Sequence, residues 1–335
     1  MRLYSTWKVK ANKLLFLFVL LRFATLAQES TSSYERYKDK IVFFTDLGFN
    51  SAPFTILYPF PTGETKAKYK NNYSPALGFG GAYKWFALRV GFTLKSTTRP
   101  KSRFGRTDFL DIGTNFQIKK NYFNLDFHYY KGFALMNAYE FVDTLNKHNP
   151  NLIYPETKSI SMSINAWRFK NKDFNMAAVY GKTGLYKKDI GTWYIKPTVS
   201  IHGIGNDTRS ILPDELIDTN VTRTRMNSMS AFEFGFVPGY AYVKRYKNWQ
   251  VCAFAGLGAV VQLKTYVFDD VTRGFLGLTP RYDFRLIGGY SNKKYFSFLT
   301  LEMDNKNIRF NDLKFRQSYY TLRLAVGCRL NRSSN

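Results

Sequence analysis

Cysteine and histidine are scarce in this chain, with two of the first and three of the second in 335 residues. Cys252 and Cys328 cannot build a disulfide framework, and His128, His148 and His202 offer no zinc-type spacing. We therefore expect two free thiols and neither metal nor cofactor. Acidic side chains are also in short supply, 24 against 49 Lys and Arg, which leaves a formal charge of +25. Long apolar runs are missing. With a mean hydropathy of −0.31 the chain has no room for a bundle of membrane helices, each needing roughly 20 apolar residues. Aromatic residues, by contrast, make up 18% of the sequence, far above what a disordered chain carries, so much apolar surface must be shielded from water.

Residues 1–27 have the layout of a cleaved secretory signal. Arg2, Lys8, Lys10 and Lys13 precede an apolar run from Leu14 to Leu21, and Thr25-Leu26-Ala27 places small residues where a signal peptidase reads. The run is too short to span a bilayer and Arg22 interrupts it. The expected organisation is a periplasmic segment at 28–38, one β-domain over 39–330 and a short tail at 331–335.

Beyond residue 40 the dominant pattern has a period of two. Phe86, Leu88, Val90 and Phe92 alternate with Ala87, Arg89 and Gly91. Ile160, Met162 and Ile164 alternate with Ser159, Ser161 and Ser163, and Leu322, Leu324 and Val326 with Thr321, Arg323 and Ala325. On pleated strands this sets an apolar row against a small and polar one. Strands are expected near 40–49, 74–84, 85–95, 107–118, 121–133, 158–169, 173–182, 192–203, 230–244, 249–267, 281–290, 294–303 and 317–330. Their length, about 9 to 12 residues, suits a tilted bilayer crossing better than a soluble sheet. Residues 53–60 could form a further strand.

Short basic connections, such as Arg245-Tyr246-Lys247-Asn248, alternate with long ones at 50–73, 96–106, 134–157, 268–280 and 304–316. Aromatic residues gather at strand ends, as in Tyr83 with Trp85 and Trp193 with Tyr194. Both features are those of an all-β, antiparallel transmembrane β-barrel with short periplasmic turns and long outer loops. The polar stretch 204–229 breaks the alternation: either it hides a strand or it lies on the periplasmic side. An even total then requires about 12–14 strands, with 14 if a strand is hidden.

Three segments carry a resemblance to a Bacteroidetes outer-membrane family, domain of unknown function 4421. Tyr73 to Trp85, YSPALGFGGAYKW, is similar to the family's glycine-alternating strand after a Tyr-x-x-Asn approach, here Tyr69 and Asn72. Asn124 to Gly132, NLDFHYYKG, resembles its Leu-Asp-x-Tyr…Tyr-x-Gly strand. Asn165 to Gly191 resembles a strand pair and loop, although Tyr186 to Thr192 departs from the family's Gln-Lys-Lys-Ser-x-Gly-Ser. The resemblance implies an outer-membrane barrel and supplies no activity.

Two sets of side chains are candidates for function. Arg89, Lys95, Lys196, Arg285, Arg323 and Arg329 fall at lumen phases, and a positive interior would favour small anionic solutes. Asp126 and His128, two apart on one strand, are raw material for acid–base chemistry in a membrane-embedded hydrolase or acyltransferase. No nucleophile is identifiable by spacing, and G-x-S-x-G is absent. The glycines at 78, 80, 81, 256, 258, 288 and 289 sit in strands with no following helix, which excludes a phosphate loop. The expectation is a non-enzymatic barrel, structural or porin-like, in the outer membrane of a Gram-negative bacterium. Its expected partners are lipid, lipopolysaccharide and the barrel-assembly machinery, which would read the last strand, and nucleic acid is not among them. A hydrolase and a secreted soluble β-sandwich are the rival expectations.

Overall fold

The computed structural model describes residues 33–331 apart from 38, 95–98, 119–120 and 270. The leader at 1–27, Lys95 and most of the tail lie outside the described residues. In chain order the strands are β1 (Tyr34–Arg36), β2 (Lys40–Ser51), β3 (Phe54–Leu57), β4 (Lys66–Lys70), β5 (Pro75–Tyr83), β6 (Phe86–Thr93), β7 (Asp108–Ile118) and β8 (Asn121–Leu135). They continue as β9 (Leu152–Phe169), β10 (Gly184–Tyr186), β11 (Ile190–Asn206), β12 (Ser228–Tyr246), β13 (Trp249–Phe268), β14 (Val271–Ser291), β15 (Tyr295–Arg309) and β16 (Lys314–Asn331). Two one-turn helices, α1 (Lys101–Phe104) and α2 (Met176–Val179), lie in connections.

Twelve strands, β2, β5 to β9 and β11 to β16, form an antiparallel ring, closed where β16 pairs with β2 from Tyr320↔Ser51 to Asn331↔Lys40. Closure leaves no free sheet edge at the join, as a wall in lipid requires. The alternation sets the two faces. Phe92 and Leu324 are 41% and 47% exposed on the outside, with Met162, Ile201, Phe234 and Leu263 in the same outward row. Arg89, Ser161 and Arg323 point inward. At the end where β2 begins and β16 finishes, here the lower end, the apolar band closes on aromatic pairs: Trp85 with Phe116 (6.1 Å), Trp193 with Tyr240 (5.0 Å) and Trp249 with Tyr290 (5.6 Å). Such amphipathic rings suit a membrane interface. At the upper end the outward side chains turn charged, as in the Lys131–Glu156 pair at 2.9 Å.

Four expectations need correction. Residues 173–182 form no strand; they hold α2 and fold into the lower lumen. Removing that strand restores parity, so 204–229 hides none: its loop lies at the upper end with the other long ones, and the ring has 12 strands rather than 14. The supposed loops at 268–280 and 304–316 are mostly strand: β15 and β16 continue above the apolar band, where water-facing positions need no alternation, and on β14 Gly274 and Pro280 interrupt the outward row that carries Leu276 and Leu278. Finally, several aromatic residues at strand ends face inward, among them Tyr130, Tyr194 and Tyr319.

The 14-stranded sheet exceeds the ring because β3 and β4 fork from it. β3 continues β2 along β16, and its hairpin partner β4 reaches β8 through Tyr69↔Leu135 and Lys70↔Ala134. β5 to β7 are too short to reach that height. Asn71 and Asn72 knit the fork. Asn71 Oδ1 accepts from Ala52 N (2.9 Å), Asn72 N donates to Thr107 Oγ1 (2.8 Å), and Asn72 Nδ2 donates to Gly105 O (2.7 Å). On β8 the pairing shifts register at Gly132, whose φ is +96° and whose missing Cβ would lie 2.0 Å from Arg106 O. Only glycine fits there. The Tyr-x-x-Asn motif thus does physical work at the fork, where Tyr69 stacks on Phe54 at 4.4 Å and Asn72 pins the branch.

Candidate functional site

The lumen is filled in three storeys. The lowest is the connection 170–189, joined by the N-terminal segment, whose β1 pairs with β10. Asn175 caps α2 by accepting from Ala178 N (3.1 Å). Phe174, Met176 and Tyr186 pack against Trp167, Tyr194 and Phe254. Wall side chains then satisfy the carbonyls this short turn leaves open. Gln250 Nε2 donates to Ala178 O (3.0 Å) and Val179 O (2.7 Å). Arg329 donates to Lys182 O (2.8 Å), Ser291 Oγ (2.8 Å) and Gly181 O.

The top storey is a dry cap. The loop 207–227 dips Ile211, Leu212, Leu216 and Met226 into a cluster with Phe54, Tyr69, Phe133, Tyr154 and Phe315. Tyr69 Oη donates to Ile211 O at 2.6 Å. Two polar contacts hold the rim: Tyr58 Oη donates to Asp218 Oδ2 (2.5 Å), and Arg223 donates twice to Asp312 (2.8 and 2.6 Å). The Tyr58 hydrogen bond holds the Asp218 carboxyl below the usual carboxylate range. Burial and the Asp218 contact together push the Tyr58 phenol up to about 12.

Between them runs a belt of buried charge. Arg89 Nε and Nη2 grip Asp46 at 2.6 and 2.7 Å, and Nη1 pairs with Asp111. Arg323 Nη2 donates to the same Asp111 at 3.0 Å. Lys196 pairs with Asp283 (3.0 Å) over the Trp167 ring. Arg285 lies over that ring as well, donating to Tyr180 Oη at 2.9 Å with Glu302 at 3.4 Å. Glu233 is met by Arg281 (2.6 Å), Gln262 (2.9 Å) and Ser200 (2.8 Å). Buried charges persist only when so matched, since an unpaired one costs several kcal/mol.

Of the residues singled out from sequence, Arg89, Lys196, Arg285 and Arg323 face this belt and Arg329 sits below it holding the plug. Each of the four is met by a carboxylate. Asp126 and His128 share the lumen face, but the histidine's carboxylate neighbour is Asp111 across the β7–β8 ladder, at 3.4 Å, and its ring lies 5.7 Å from that of Tyr319. Asp126 accepts from Asn124 Nδ2 at 3.0 Å. Both line a cavity of about 120 Å³ with Arg89, Lys182, Arg285 and Glu302, space for a few waters. Among the described residues no group of three His, Cys, Asp or Glu side chains converges on a metal position. Cys252 is buried and Cys328 half-buried, and neither is bridged.

Sequence reasoning missed the acids, namely Asp46, Asp111, Glu233, Asp283 and Glu302. The signal was available: Glu233 between Phe232 and Phe234, and Asp283 between Tyr282 and Phe284, share the phase that placed the bases inside.

No curated protein matches the sequence. Solved structures similar to the chain include the outer membrane protease OmpT from Escherichia coli, at 8% identity and a TM-score of 0.40, covering 90% of this chain and 99% of that one. The translocator domain of the autotransporter NalP from Neisseria meningitidis is similar at 10% identity and a TM-score of 0.41, covering 98% and 99%. An outer membrane channel from Pseudomonas putida F1 is similar at 9% identity and a TM-score of 0.37, covering 91% and 100%. The family model described as Domain of unknown function (DUF4421) matches residues 29–329, and the chain belongs to that family.

Proposed function

We propose that the protein is a non-enzymatic barrel of a Gram-negative outer membrane, exported by a cleaved leader, that stands closed in its resting form and acts as a rigid wall element presenting capped outer loops. The observation that carries this is the filling of the lumen from end to end. Among the described residues, a plug held by Arg329 and Gln250, a belt of matched charges and an aromatic cap occupy the lumen one above another, which speaks against a wide path for an anion. Lipid and lipopolysaccharide would bear on the apolar band and basic turns, and the assembly machinery would engage β16.

Conductance in planar bilayers tests it. Wild-type protein is expected to give no sustained ion-selective steps, whereas the double variant Gln250→Ala/Arg329→Met, with its plug loosened, gives intermittent ones. Steady anion-selective steps from the wild type would replace the sealed wall by an open pore.

A hydrolase is the second reading, favoured by the cavity that Asp126 and His128 share. Lipid or peptide hydrolysis by the purified barrel, lost on His128→Ala, would establish it.

A further inference from the structure

One seam in the wall is not zipped. β14 and β15 pair from Ser291↔Phe296 up to Phe284↔Met303, and among the described residues no ladder pair joins them above that point, although both strands continue. Extending the register would set Tyr282 opposite Asn305, Pro280 opposite Asn307 and Leu278 opposite Arg309. Pro280 has no N–H to give, which stops the ladder. Side chains bridge the gap. Asn305 Oδ1 accepts from Tyr282 N (2.7 Å) and its Nδ2 donates to Pro280 O (3.0 Å). From inside the barrel Arg281 donates to Asn305 O (2.6 Å), Gln262 to Asn307 O (2.5 Å) and Lys264 to Arg309 O.

The two lips differ in chemistry. On the β14 side Leu276 and Leu278 are the most exposed large apolar side chains of the described wall, at 77% and 70%. They continue the apolar band through Leu263 and Val261 of β13. On the other lip the outward positions turn cationic, with Arg309 on β15 and Lys314 and Arg316 on β16, where Arg309↔Lys314 and Asn307↔Arg316 are ladder pairs. An unzipped wall, oily on one side and basic on the other, complements one kind of molecule: an anionic amphiphile.

We propose that this seam is a binding site for a phosphate-bearing membrane lipid. Its headgroup sits against Arg309, Lys314 and Arg316, and an acyl chain lies along Leu276 and Leu278 into the gap held by Asn305. The site rests on the membrane placement proposed above, so its test must separate the two.

A bimane probe at Thr279→Cys, which faces inward beside the gap, is placed in a Cys328→Ser background. A second probe at Leu257→Cys faces lipid far from the seam. Each protein is reconstituted in phosphatidylcholine nanodiscs carrying a minor fraction of lipid brominated along the chain, either phosphatidylglycerol or phosphatidylcholine. Brominated phosphatidylglycerol is expected to quench the Thr279 probe about fivefold more than brominated phosphatidylcholine, the effect of one basic side chain at a membrane surface. The Arg309→Gln/Arg316→Gln variant is expected to lose the preference, and the Lys replacements at both positions to keep it. Pro280→Val, which restores the missing N–H, is expected to lower quenching by both lipids. Quenching at Leu257 but none at Thr279, or equal quenching at Thr279 by the two lipids, would overturn the lipid site while leaving the barrel in its membrane. No quenching at either position would remove the membrane placement itself. Disulfide dimers through Leu278→Cys with an unquenched Thr279 probe would assign the seam to a second copy of the chain instead.

Discussion

The two ends of the lumen are packed by different means. At the lower end one continuous segment, 170–189, is held by wall side chains that reach its backbone carbonyls, Arg329 and Gln250 foremost. At the upper end several segments meet, 58–65, 207–227 and 310–313 among them, and most of the contact is apolar packing with a few polar latches at the rim. A closure that hangs several buried carbonyls on one donor loses all of that donor's acceptors at once when it is removed. A closure built on dispersed packing loses ground in proportion to the volume deleted.

The largest effect should therefore come from Arg329→Met, which keeps much of the stem and removes the fork. It leaves Gly181 O, Lys182 O and Asn292 O without their donor, and we expect a loss on the order of 3–5 kcal/mol in urea unfolding of the detergent-solubilised barrel. The upper end should respond less and in graded fashion. Ile211→Ala is expected to cost about 2–3 kcal/mol, and Tyr69→Phe, which loses the bond to Ile211 O, about 1 kcal/mol. Equal losses for Arg329→Met and Tyr69→Phe would erase the distinction between the ends. The smallest effect concerns pH. Asp218 is held below the ordinary range in the folded cap, so its contribution is fully present above the unfolded value of about 3.9 and is lost as pH falls through the lower folded value. Limited proteolysis of the 207–227 loop should thus be unchanged from pH 7 to about pH 5 and rise only below about pH 4. Asp218→Asn should shrink that rise to the share set by Asp312, which, against its burial, the Arg223 contact also holds low.

The wall was legible from sequence because lipid and lumen impose opposite demands on successive side chains, and rows such as Phe86, Leu88, Val90 and Phe92 record them directly. Above the band the outward side of β15 and β16 meets water, so Asn307, Arg309 and Arg316 carry no alternation, and on β14 Gly274 and Pro280 break the outward row, so the upper halves of these strands passed for loops. The plug misled for the converse reason. Phe174, Met176, Ala178 and Tyr180 alternate like a strand, yet they are buried by folding inward, and an apolar side chain does not state which neighbour shields it. The charge belt was half legible: the alternation that set Arg89 inside sets Asp46 and Asp111 inside too, but only their meeting across strands turns a positive lining into a matched one.

The fork at Asn71 and Asn72 has a geometric corollary. Where β3 and β4 take over from β2 and β5 to β7, the circumference drops from twelve strands to ten. Barrel width grows roughly in step with strand number, so the vessel narrows by about one sixth at its neck. A neck of that girth is filled by its wall aromatics and a few apolar side chains of one loop, whereas the wider body below takes ion pairs and a whole folded segment.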